Sequence, residues 1–149
     1  MCLIVDANAA SVFLTRKGAV IDWLLGPKGN PKLCIGGRLT GELEMIGEVG
    51  LLLLQLSRAG RVRRTADEEM QKHEKRLKSA RLYQSNDVHV LALAIASGAR
   101  TLATFDGDLS KDFKNPRIIN GPHGRVYRDP EKHGHLLRHT PKSCGVSGK

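Results

Sequence analysis

Residues 86–108 read NDVHVLALAIASGARTLATFDGD, and this stretch decides the fold. From Val88 to Ser97 it is apolar on nearly every side, which predicts a helix buried between two layers. Asp87 stands before that helix as a start signal, and Gly98 follows as a C-terminal cap. Thr101 to Phe105 then has the pattern of a short buried strand. It stops at two aspartates, Asp106 and Asp108, separated only by Gly107. A turn needs at most one of them, so they raise the question of a wider set of carboxylates.

Working outward, the same alternation of strand and helix recurs. Cys2 to Val5 is a fully apolar run ended by Asp6, after which Asn8 can cap a helix through Ala9, Ala10, Val12 and Phe13. More apolar positions follow at Val20, Trp23, Leu24 and Leu25, and Gly26 to Pro31 is a break. Lys32 to Ile35 makes a second short strand, closed by Gly36-Gly37. Leu39 to Leu56 carries apolar residues at helical spacing, with Thr40 as cap, Gly60 as terminator, and Gly47 and Gly50 inside it. The charged run from Arg61 to Gln84 predicts a solvated helix starting at Thr65 or Asp67, with Met70, Leu77 and Ala80 as a thin apolar stripe. Arg117 to Ile119 reads as a further strand and Arg125 to Tyr127 as an edge strand.

This order predicts an α/β fold, a three-layer sandwich with a central, mainly parallel sheet flanked by helices. Residues 1–120 are expected to form the domain. Residues 121–149 are expected to be a basic extension, of which Pro141 to Lys149 reads as a flexible tail.

A chain of 149 residues suits one domain. No apolar run approaches the length of a membrane span, and the N-terminal MCLIVDAN lacks the pattern of a signal peptide. Cys2, Cys34 and Cys144 are odd in number and scattered, which predicts reduced thiols, a cytoplasmic location and no thiolate zinc site. The unusual feature is charge: 24 Lys and Arg against 15 Asp and Glu give +9. Such a balance serves solubility, or attracts a polyanion.

In open α/β sheets, ligand sites lie outside the carboxyl ends of the strands. Asp6 and Asp106 each end a strand. Asp87 begins a buried helix, and Glu42 is placed in the first turn of the helix after Gly36-Gly37. Helix-dipole or turn chemistry explains each of these acids singly. Four of them converging on one edge implies a cation or a shared proton, because clustered carboxylates repel. Oxygen ligands favour Mg²⁺ or Mn²⁺ over zinc. A hard divalent cation on a chain of charge +9 points to phosphodiester chemistry.

The residues LIVDAN with Asp6 and Asn8, TGEL with Glu42, the stretch from Asn86 to Asp106, and GDL with Asp108 together resemble the PIN-domain nucleases from Cys2 to about Ile119. The resemblance implies a PIN-like sandwich and a Mg²⁺- or Mn²⁺-dependent endoribonuclease acting on single-stranded or structured RNA. It implies that Asp6, Glu42, Asp87 and Asp106 hold the metal, with Asp108 an auxiliary acid. Asn8 and Thr104 would orient ligands or water. Many small proteins of this kind are VapC-type toxins, often homodimers silenced by an antitoxin. The charged run of residues 61–84 and the basic extension depart from a minimal toxin, which leaves RNA processing or anti-phage defence open. The competing reading is a PIN-like module that binds RNA or a partner without cutting it.

Three other groupings carry less. His133, His135 and His139, with Cys144 beyond, lack the further ligands of a transition-metal site. Ile35 to Gly41, IGGRLTG, matches no phosphate-loop spacing and reads as a strand-to-helix turn. Asp6-Ala7-Asn8 lacks the second acid and the lysine of a phosphoaspartyl enzyme.

Overall fold

The computed structural model describes residues 2–15 and 17–138. Their elements run β1 (Cys2–Val5), α1 (Ala7–Phe13), α2 (Ala19–Leu25), β2 (Lys32–Gly36), α3 (Gly37–Glu44), α4 (Gly47–Arg58), β3 (Val62–Thr65) and α5 (Asp67–Ala80). They continue with α6 (Val88–Ser97), β4 (Thr101–Ala103), α7 (Gly107–Lys114), β5 (Arg125–Tyr127) and α8 (Pro130–Arg138). The five strands form one sheet in the order β3-β2-β1-β4-β5, parallel at every pairing. With helices packed around it, this is an α/β three-layer sandwich.

β1 is central because every residue of CLIV is apolar and buried, so both of its faces can be covered. From β1 the chain first moves to β2 and β3 on one side, then crosses to β4 and β5 on the other. β1 and β4 are therefore neighbours from which the connections diverge. Such a switch point opens a crevice at the carboxyl ends of the two strands. α6 fills the layer beside the sheet with Val88, Val90, Leu91, Leu93 and Ala94, and Gly98, at φ 81°, ends it in the left-handed conformation.

Several local expectations are revised. Leu39 to Leu56 is two helices, because Ile46 adopts an extended conformation between them. Gly50 permits that corner: a Cβ there would meet the Glu44 carbonyl at 3.2 Å. Thr40 lies within α3, and Gly36 takes the N-cap position. Gly37 follows with φ 52°, a left-handed turn into the helix that glycine adopts without strain. α1 is capped by Asp6, not by Asn8, and α5 begins at Asp67 after Ala66 in the cap position.

The charged run hides a strand, β3, which is an edge strand and so tolerates arginines on the pleat. In α5, Met70 and Leu77 are buried, whereas Ala80 is exposed. β4 stops at Ala103, releasing Thr104 and Phe105 from the ladder. Arg117 to Ile119 forms a turn and not a strand, with the N–H groups of Ile118 and Ile119 both donating to the Asn115 carbonyl.

The sheet continues past the expected boundary at residue 120. β5 pairs with β4, and Val126, Tyr127, Leu136 and Leu137 are buried in the same core as β1. Cys34 is a buried free thiol held up to about 11 by desolvation. Cys2 is disulfide-bonded, so three reduced cysteines do not hold: an odd count leaves room for one bridge. His139, Cys144 and the expected flexible tail of residues 141–149 lie outside the described residues. No helix among the described residues is long and apolar enough to cross a membrane.

Candidate functional site

The site is built at the switch point, where β1 and β4 end side by side. The Asp6 N–H donates to the Ala103 carbonyl at 2.9 Å, so the two strand ends are tied together before either side chain is considered. Asp6 is 4% exposed and caps α1, its Oδ1 accepting from the Ala7 N–H at 2.8 Å. Its Oδ2 accepts from the Thr104 hydroxyl at 2.9 Å. The same hydroxyl oxygen accepts the Asp106 N–H at 3.1 Å, so one threonine spans both acids. Desolvation raises the Asp6 carboxyl above its ordinary range; the Thr104 hydroxyl opposes this, and the charge of Asp87 adds to it.

Asp87 stands in the N-cap position of α6, yet its side chain makes no cap hydrogen bond. Burial raises its pKa first; the charges of Asp106 and Glu42 raise it further, while His89 and Arg38 pull it down. Asp87 thus lies within reach of the charges of Asp6, Glu42 and Asp106. Glu42 sits in the second turn of α3, not the first. It has two nitrogen partners: His89 Nε2 lies 3.0 Å from Oε1, and Arg38 Nε lies 3.4 Å from Oε2. Asp106 caps α7, its Oδ1 accepting from the N–H groups of Asp108 and Leu109 at 2.9 and 3.1 Å. Asp108 is exposed in the first turn of that helix and enters none of these couplings. Asn8 is exposed, and its Oδ1 accepts from the Phe105 N–H at 3.2 Å.

Three residues escaped the sequence reading. His89, a buried imidazole in the first turn of a mostly apolar helix, meets Glu42 across 47 positions of chain. Its signal was an imidazole one residue into the apolar run VHVLALAIAS, whose other polar residue, Ser97, closes it. Asp112, 2% exposed, accepts the N–H of Gln84 at 2.9 Å and of Ser85 at 2.8 Å, and so fixes the loop that delivers Asp87. Arg128, just past β5, donates from Nε to the Thr104 carbonyl at 3.2 Å and from Nη2 to the Phe105 carbonyl at 3.1 Å. His133 serves structure as well, its Nδ1 accepting the N–H of Arg128 and of Asp129 at 3.0 and 3.2 Å.

Among the described residues, no three His, Cys, Asp or Glu side chains are drawn together as a ready ligand shell. The donors fit a hard divalent cation in their chemistry, since all four acids offer oxygen and the charge of Asp87 is opposed by those of the other three. Glu42 is instead turned to the His89 imidazole and to Arg38, whose guanidinium meets its charge. Compared with protein-family models, with curated proteins and with solved structures, the chain gives no significant match.

Proposed function

We propose that this protein is a metal-dependent endonuclease of the PIN type, hydrolysing phosphodiester bonds in RNA. The observation that supports it best is that Asp6 and Asp106, at adjoining strand ends, share the Thr104 hydroxyl, while Asp87 feels the charges of Asp6, Asp106 and Glu42. A chain of charge +9 that gathers carboxylates in one place suits an anionic polymer joined to a cation. In this reading Asp6, Glu42, Asp87 and Asp106 would hold Mg²⁺ or Mn²⁺, which when bound would supply charge to polarise the phosphodiester and help ionise a water.

The chain's own groups prepare that chemistry. The Thr104 hydroxyl fixes Asp6 Oδ2, and Asn8 fixes the backbone of Phe105, so both strand ends are rigid where the substrate lies. Arg38 is exposed and pairs with Glu42 at 3.4 Å; were Glu42 to hold the cation, Arg38 would be free to meet a phosphate. Asp108 would assist from the first turn of α7. The water oxygen forms its bond to phosphorus as the bond to the 3′ oxygen breaks, and that oxygen takes a proton. The products are a 5′-phosphate and a 3′-hydroxyl. Whether the nuclease is the toxin of an antitoxin-silenced homodimer, or serves RNA processing or defence in the cytoplasm, follows from its target.

The test is a gel assay on a pool of single-stranded and structured RNA with Mg²⁺, Mn²⁺ or EDTA, with Asp6→Asn alongside. Cleavage is expected to need metal and to vanish in the variant. Near-normal cutting by Asp6→Asn would overturn the metal assignment. RNA retained without cleavage would favour the non-catalytic binding module.

A further inference from the structure

Phe105 is the only aromatic residue among the exposed large apolar side chains of the described residues, at 44% exposure. It lies between Thr104 and Asp106, on the short link that leaves β4 for the acid rim. Single exposed apolar residues need no explanation. Phe105 differs because its position is fixed from three sides. Its N–H donates to Asn8 Oδ1 at 3.2 Å, and its carbonyl accepts from Arg128 Nη2 at 3.1 Å. Its ring rests on Phe13, with centroids 5.3 Å apart and planes inclined by 31°. Phe13 is in turn buried and set edge-on to Tyr127 at 5.1 Å and 71°. The ring is therefore braced by the core while a large part of the residue faces solvent.

We propose that Phe105 is a stacking platform for an unpaired nucleobase beside the acidic site, and that it makes the site take single strands in preference to duplex. This rests on the nuclease reading and adds the feature that selects the substrate. A base released from a helix offers a π-face to an aromatic ring, whereas a paired base has both faces covered by its neighbours. Because every base has such a face, the platform favours single strands without choosing a sequence. The fixed backbone matters for affinity, since a platform that is already ordered loses little freedom when it binds.

The experiment measures binding of a short fluorescein-labelled RNA single strand, and of a duplex of the same length, by anisotropy in EDTA. The proteins are wild type, Phe105→Ala and Phe105→Trp. Phe105→Ala is expected to weaken single-strand binding by roughly 5- to 150-fold while leaving duplex binding within about twofold. Phe105→Trp should bind single strands as well as wild type or better. An alanine variant within about twofold of wild type on single strands would overturn the proposal, as would an equal loss on duplex, or a wild type with no preference for single strands. A thermal melt of Phe105→Ala matching wild type shows that any loss belongs to the ring and not to the fold. Cleavage with Mn²⁺ is scored separately. Metal-dependent cutting with no effect of Phe105→Ala sinks the platform alone. Phe105-dependent binding without any cutting keeps the platform and sinks the nuclease.

Discussion

Asp112 holds the loop before Asp87, and its removal should be felt both in stability and at the site. Its carboxylate accepts the Ser85 N–H at 2.8 Å and both oxygens receive the Gln84 N–H, at 2.9 and 3.1 Å. Asp112→Ala leaves two backbone donors without that acceptor. Ser85 is buried and bears the full desolvation penalty, while Gln84 is exposed and can turn partly to water. At about 1–3 kcal/mol for an unsatisfied buried donor, the two together cost roughly 2–4 kcal/mol. For a chain of this size the loss lowers Tm by about 6–12 °C. Asp112→Asn keeps one carbonyl oxygen for Ser85 and forfeits the charge, so about 1–2 kcal/mol is expected. Urea unfolding followed by circular dichroism measures both variants. At a temperature where Asp112→Asn is folded, metal-dependent cleavage should fall by about ten- to a hundredfold through misplacement of Asp87, with oligonucleotide binding retained. An alanine variant within about 1 kcal/mol of wild type would refute the loop argument. Full activity in a destabilised Asp112→Asn would confine the residue to the fold.

Asp87 and Asp106 should move metal-free stability in opposite directions. Asp106→Ala removes the cap of α7 and costs about 1 kcal/mol. Asp87→Asn loses no cap bond and relieves like charge, so its Tm in EDTA should rise; shifts of the same sign for both variants would contradict this. Mn²⁺ should raise the Tm of wild type and fail to raise that of Asp87→Asn. Cys34 should resist iodoacetamide at pH 8 in the folded protein and react fully in denaturant, because its thiol is buried and pushed up to about 11. The unfolded thiol ionises from about 9.0 while the folded one keeps its proton, so Cys34 makes stability fall as pH rises from about 9 through about 11. Cys34→Ala should flatten that decline, and an unchanged slope would show that the thiol is not its source.

What could be read locally was what the chain encodes locally. CLIV, TLA and VHVLALAIAS are short apolar runs closed by Asp or Gly, and their burial requires layers on both faces. From these alone Asp6 and Asp106 fall on one sheet edge, because parallel strands must share a direction. β3 could not be read, since Val62–Thr65 is an edge strand whose pattern is set by a single neighbour. The break at Ile46 depends on how closely α3 and α4 approach at Gly50, which is a tertiary fact. The same holds for His89 with Glu42 and for Asp112 with Ser85, joined across 47 and 27 positions. Periodicity carries no information on such pairs.

Ordinary structural duties account for half of the acidic cluster and leave the other half unexplained. Asp6 caps α1 and Asp106 caps α7, so both would be kept in a protein that bound nothing. Asp87 occupies a cap position without capping, half-buried among like charges that raise its pKa. Glu42 reaches back from the second turn of α3 to a buried histidine, although exposed positions on the same helix offer water to a carboxylate at no cost. Asp87 is the costlier of the two, because its charge caps nothing and lies among like charges, whereas Glu42 has Arg38 and His89 as partners. Under the proposed reading a cation received between them and the two strand-end aspartates would offset that cost, and Asp112 and Arg128 hold the adjoining loops. The opposite stability shifts expected for Asp87 and Asp106 bear directly on that distinction, because they separate a carboxylate that the fold needs from one that it tolerates.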